Sequence, residues 1–228
     1  RPLVEKDIIS KYDNQEIKTM NTHLHVLEAF SNLYRIWPDE VLKGRISDLL
    51  NDFSTHIIDG ESGHLKLFFD EDWNSKSSII SYGHDIEAAW LLLEAAEIIE
   101  AAEWVDKFKS VAVKMAYATI EGIDKDGGLW YERDPSANHT NKEKHWWVQA
   151  EAMVGFYNAW QISADPIFLD KFNKVWEYTQ KNIIDHEHGE WFWGIGQDGE
   201  VMAGEDKVGL WKCPYHNSRA CLEILKRR

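Results

Sequence analysis

The chain has 228 residues, 44% hydrophobic and 28% charged, a composition that builds a core and excludes a disordered chain. Its formal net charge of −14 speaks against a nucleic-acid partner, because phosphates are held by clustered Lys and Arg. The most apolar run, residues 88–102, is broken by Glu94, Glu97 and Glu100, so no membrane span is expected.

In chain order, the pattern reads as a repeating unit of helix, helix and short hairpin. The first helix carries His25-x-x-Glu28-Ala29 and is followed by an amphipathic helix over 39–57. A Gly then opens a short strand, Gly63-His64-Leu65-Lys66-Leu67. The next unit has His84-x-x-Glu87-Ala88, a helix over 104–121, and Gly128-Leu129-Trp130-Tyr131. The third has Val148-x-x-Glu151-Ala152, a helix over 166–182, and Gly189-Glu190-Trp191-Phe192-Trp193. A fourth first helix opens with His216-x-x-Arg219-Ala220. Pro38 and Pro166 are expected in the first turns of their helices.

The register recurs every ~60 residues, and such units bury their faces only by stacking. Stacked helix pairs predict an all-α fold, an α/α toroid with first helices inside and second helices outside. A closed six-pair ring needs roughly 370 residues. Residues 1–228 are therefore expected to form a single domain of about three and a half pairs, an incomplete ring with short β-hairpins between pairs.

His25, His84 and His216 share one phase of this repeat, which predicts three imidazoles converging on a central cavity. The helix N-termini there favour neutral imidazoles able to act as bases near pH 7. Two imidazoles facing a bound molecule from opposite sides suit proton abstraction beside a carbonyl. Glu28, Glu87 and Glu151 keep glycoside hydrolysis by paired carboxylates as an alternative. Glu151, in a unit without His, is expected behind the site.

The 12 Trp of an acidic chain suit a sugar site, since flat rings stack on the C–H faces of sugars. Trp146-Trp147 and Trp211 are expected at the cavity mouth, and Trp130, Tyr131, Trp191 and Trp193 at its rim. Trp90, Trp104, Trp160 and Trp176 are assigned to the core. The pairs His23/His25 and His186/His188 match metal-ligand spacing. Helical i, i+2 residues point apart, however, and the second pair lies in a solvated loop. Cys213 and Cys221, placed on one helix, are too far apart to bridge, which fits inert thiols in a reducing cytoplasm. No signal peptide is recognised.

The strings Asn21-Thr-His-Leu-His25, Ser81-Tyr-Gly-His84-Asp-Ile-Glu87, Trp146-Trp-Val-Gln-Ala-Glu151 and Lys212-Cys-Pro-Tyr-His216-Asn-Ser-Arg219 resemble those of the cellobiose 2-epimerases. These belong to the N-acylglucosamine 2-epimerase superfamily. The resemblance implies an (α/α)6 barrel and an isomerase that needs no cofactor or metal. The reducing-end glucose of a disaccharide such as cellobiose would open, lose its C2 proton to give a cis-enediolate, and be reprotonated to mannose. By motif, His84 and His216 would be the acid/base pair and His25 would assist ring opening or hydrogen-bond the substrate. Glu87 would orient His84, Trp147 would contact the reducing sugar, and Trp211 would stack on the distal one. Asn21, Trp146 and Glu151 would complete the substrate-binding set. The resemblance covers the C-terminal part of the family only. A missing N-terminal half, with its substrate-binding Arg, is therefore expected, and with it weak or absent turnover by residues 1–228 alone. The other readings are an N-acylglucosamine or mannose 2-epimerase, an aldose–ketose isomerase, and a sugar-binding fragment without turnover.

Overall fold

The computed structural model describes residues 18–227. Its chain runs β1 (Lys18–Thr19), α1 (Met20–Ile36), α2 (Glu40–Asp52), β2 (Phe68–Phe69), β3 (Ile80–Ser81), α3 (Tyr82–Ile98) and α4 (Ala102–Thr119). It continues through β4 (Glu132–Asp134), β5 (His139–Asn141), β6 (Lys144–His145), α5 (Trp146–Ser163), α6 (Pro166–Tyr178), β7 (Gly194–Ile195) and α7 (Tyr215–Arg227). The helices form an arc: α1 packs on α2 and α3, α3 on α4 and α5, and α5 on α6 and α7. Odd-numbered helices line the inner side, and even-numbered ones cover them. This is the expected mostly helical, incomplete α/α ring. Among the described residues, no helix is long and apolar enough to cross a membrane.

Local sequence explains the boundaries. Asp39 accepts hydrogen bonds from the Val41 and Leu42 N–H groups at 2.9 and 3.0 Å and starts α2. Asp165 accepts from Ile167 N at 2.9 Å, with Pro166 in the first turn of α6, as expected. Pro38 instead precedes the capping Asp39 and lies outside α2. The expected ends of the second helices are not α-helical. Phe53–Ile57 and Thr179–Ile183 wind into π-turns, and Ile120–Gly122 into a 3₁₀ turn. Cys213 precedes α7, so the two exposed, free cysteines do not share a helix.

α3 and α5 are buried around most of their circumference, as helices at the centre of an arc must be. Gly155 of α5 sits against α3 so closely that a Cβ there would lie 2.6 Å from the Ile86 carbonyl oxygen. Gly155→Ala is therefore expected to destabilise by ~1–3 kcal/mol through overpacking. A thermal midpoint lowered by several degrees checks it; an unchanged midpoint contradicts the close-packed inner ring.

The hairpins repeat one design. Ile58 bridges Leu65, Ile123 bridges Leu129, and Ile184 bridges Trp191. The Asp after each Ile starts the turn, and Gly63, Gly127 and Gly189 supply its left-handed residue at φ +84°, +94° and +75°. In the second hairpin this is Gly127, one residue before the Gly read from sequence. Each hairpin is then tied to the next inner helix. Asp85 accepts from Leu65 N at 2.8 Å, and Gln149 accepts from Leu129 N at 2.8 Å. Asn217 donates to Glu190 Oε1 at 2.8 Å. These three anchors directly follow His84, Val148 and His216. Fixing one residue of a helix against the hairpin fixes the helix rotation, which turns the preceding residue toward the middle of the arc.

Candidate active site

At the middle of the arc lies a cavity of about 270 Å³. His25 from α1, His84 from α3 and His216 from α7 all line it, as do Asn21, Glu87, Trp146, Trp147 and Trp211. The three imidazoles, far apart in sequence, share one hollow. Trp147 separates two of them, with its ring centroid 4.8 Å from His84 and 5.8 Å from His216. Gly83 makes room for it: a Cβ there would lie 2.5 Å from the Trp147 ring. Trp211 is 60% exposed at the mouth, where an aromatic face is available to a ligand.

Some assignments need correction. Glu151 does not face the cavity: it is fully buried, and both oxygens are already used. Oε2 accepts from Trp90 Nε1 at 3.0 Å; Oε1 meets His216 Nδ1 at 2.7 Å and Arg219 Nη2 at 2.6 Å. Glu87 does not orient His84. Its Oε1 accepts from Arg219 Nη2 at 2.8 Å and lies 3.9 Å from His216 Nδ1, because the guanidinium draws the carboxylate toward α7. The partner of His84 is Ser81, whose Oγ lies 2.7 Å from its Nδ1. Of the rim aromatics, Tyr131 and Trp193 line the cavity. Trp191 is buried, and Trp130 lies under Lys142. Trp104, Trp160 and Trp176 are only partly buried.

Two features escaped the sequence reading. His145 also lines the cavity, stacked on Tyr131 at 4.2 Å. Its place directly before Trp146-Trp147 was the available signal. The larger omission is Arg219, a hub bonded to Glu28, Glu87 and Glu151 from three different helices. Tyr215 joins it through hydrogen bonds to Glu28 and Arg219. Sequence showed Arg219 as the odd member of a Glu-rich column, and that oddness is its function: one cation among three acids.

Glu87, Glu151 and His216 offer ligand atoms within 4.8 Å of one another, a spacing that fits a metal ion. Arg219 Nη2 already bridges the two carboxylates there, so its fixed charge takes the position a cation would need. His23 turns its Nδ1 to Thr19 O at 2.7 Å, away from His25, and His188 is exposed.

The site splits the proton affinities of its imidazoles, and the helix termini do not lower all three. Burial and the neighbouring His25 and His216 charges hold His84 down to about 3. Burial also pulls on His216, but the hydrogen bond and charge of Glu151, with the charge of Glu87, outweigh it and raise its affinity. The Glu28 hydrogen bond raises His25 against its burial. Burial works to raise Glu28, yet His25, Arg219 and Tyr215 hold it to about 2. Burial and the adjacent Glu151 raise Glu87; burial acts the same way on Glu151, but Arg219 and His216 reverse it.

In ¹⁵N-resolved titrations His216 and His25 are expected to lose their protons above 6.5, and His84 to stay neutral down to about 3. An ordinary titration of His84 near 6.5 would contradict the arrangement. The linkage signs are opposite. His216 and His25 lend stability that is fully present below 6.5 and lost as pH rises through their raised values. His84 opposes folding as pH falls from 6.5 toward 3.

The model of the N-acylglucosamine 2-epimerase (GlcNAc 2-epimerase) family matches residues 4–220. A cellobiose 2-epimerase of Bacteroides fragilis is 46% identical over 95% of this chain and 55% of its own length. One from Dictyoglomus turgidum is 40% identical over 98% of this chain and 57% of its own. The solved cellobiose 2-epimerase of Bacillus thermoamylovorans superposes with a TM-score of 0.91 at 41% identity, covering 96% of this chain and 56% of that one. The chain thus spans a little over half the length of these relatives. With the family model covering most of its residues, the chain belongs to the N-acylglucosamine 2-epimerase family.

Proposed function

We propose that the protein epimerises the reducing-end sugar of a disaccharide such as cellobiose at C2, interconverting glucose and mannose. The observation that carries this reading is the meeting of three imidazoles with unlike proton affinities around one cavity. The likeness to cellobiose 2-epimerases supports it.

Ring opening needs a proton delivered to the ring oxygen and one removed from the C1 hydroxyl. His25, whose proton affinity Glu28 raises, is placed to give the first, and solvent takes the second. The open aldehyde makes the C2 proton acidic. Neutral His84 takes that proton; the C2–H electron pair becomes the C1–C2 double bond, and charge moves to the C1 oxygen. The enediolate raises the affinity of His84 while it forms, because an adjacent opposite charge favours imidazolium. His216, whose proton affinity Glu151 raises, then gives a proton to the other face of C2, and the carbonyl re-forms. The reverse reaction exchanges the two roles, and solvent resets both rings.

The hydrolase alternative loses its geometry. A glycosidase needs two carboxyl groups flanking the scissile bond. Here Glu151 lies behind Arg219, and Glu28 and Glu87 are bound to the same guanidinium. Trp211 at the mouth favours a second sugar ring over an N-acyl group.

Incubation with cellobiose in D₂O tests the reading. Slow uptake of deuterium at C2, with the mannose epimer in small amount, is expected by NMR. Exchange into mannose or N-acetylmannosamine but not cellobiose would select the other family activities, and free monosaccharides would indicate hydrolysis. Binding of cellobiose without exchange would leave a sugar-binding protein.

A further inference from the structure

We propose that Lys212 is a positioning residue, its buried ammonium fixed on Glu190 so as to hold the strap 207–212 closed and keep Trp211 and His216 in place around the cavity. What those two side chains do for a substrate rests on the sugar-site reading above.

Lys212 is fully buried, at 0% exposure, although it lies between exposed residues. Its ammonium donates to Glu190 Oε1 at 3.0 Å and to the Lys207 carbonyl at 2.7 Å, and sits 5.3 Å from the centroid of the Trp146 ring. A lysine so enclosed persists only when its donors are used. The strap closes on itself through Gly209 N donating to Lys212 O at 2.8 Å. Its other end is pinned by Lys207, which bonds Asp185 and the Gly189 carbonyl on the same hairpin. Between the pins, Val208, Leu210 and Trp211 stand 66%, 74% and 60% exposed.

Glu190 connects the strap to the first turn of α7. The Oε1 atom that receives Lys212 also receives Asn217 Nδ2, and Asn217 follows His216. Glu190 holds a left-handed backbone at φ +61°, which a residue with a Cβ keeps only when its surroundings impose it. One carboxylate oxygen thus sets both the approach of the strap and the rotation of the helix bearing His216. The preceding unit repeats the device. Lys144, buried at the corresponding position, reaches Asp124 and Asp126 of its hairpin at 2.8 and 2.7 Å just before Trp146-Trp147.

A lysine that only stabilised the fold would lower the unfolding midpoint and nothing else when replaced. Lys212→Met keeps the aliphatic stem and removes the charge. In the folded variant, the Trp211 indole and His216 imidazole resonances are expected to move while those of His84 stay. Displacement of a binding group by about an ångström is costly, so cellobiose affinity is expected to fall roughly ten-fold, and glucose affinity by less. Glu190→Gln, which retains an oxygen for Asn217, is expected to shift the same resonances less, and it carries the test should Lys212→Met not fold. Unmoved Trp211 and His216 resonances in a folded variant overturn the proposal. Moved resonances in a protein that binds no sugar would uphold the positioning role and refute the sugar-site reading instead.

Discussion

Replacing Arg219 by Met is expected to destabilise the protein by ~3–5 kcal/mol, the usual effect of taking one partner from a buried charge network. Glu28, Glu87 and Glu151 would be left facing one another, and Glu87 and Glu151 are buried. The Glu87 carboxyl, already raised, would rise further, and loss of the guanidinium charge would raise His216 as well. Turnover should fall with stability, because His216 rests on a carboxylate that Arg219 holds. Arg219→Lys should recover only part of the loss: an ammonium is a point charge and cannot fork between three carboxylates from three helices. Denaturant unfolding with His titration reads both effects. A midpoint within experimental error of the parent would show that the hub does not hold the inner helices together.

His84→Ala and His216→Ala are each expected to slow epimerisation at C2 by about 10²–10⁴-fold, the usual contribution of a general acid or base. Both rings line the cavity without building the core, so the unfolding midpoint should change far less than in the Arg219 variants. The two losses should differ in kind. Without His84, neither release nor uptake of the C2 proton on its face proceeds. Without His216, His84 can still exchange the proton on its own face, so deuterium incorporation without inversion is the expected residue. Full epimerisation by either variant would remove that histidine from the pair. His25→Ala should mainly slow ring opening, visible as partial recovery with substrates of higher open-chain content.

The repeat of helix, helix and hairpin was legible because its signals are local: a Gly opening each short strand, and apolar periods of 3.6 in the covering helices. The shared phase of His25, His84 and His216 was legible for the same reason. Equivalent positions on stacked units point the same way, and the hairpin anchors at Asp85 and Asn217 keep that rotation. The π-turns at Phe53–Ile57 and Thr179–Ile183 were not, since the residues there continue the apolar period and only the backbone bonding changes.

The sequence by itself determined the arc of helix pairs and that His25, His84 and His216 would meet, though not that His145 would join them. Tertiary structure alone decided what each of them is. The same residue type at the same phase has its proton affinity lowered at His84, which is buried and bonded to Ser81, and raised at His216, because Glu151 reaches across from another helix to bond it. It also turned Arg219, a mismatch in the repeat, into the group that binds three helices. Local pattern fixes where a side chain points, whereas its charge state is set by groups brought near it through space.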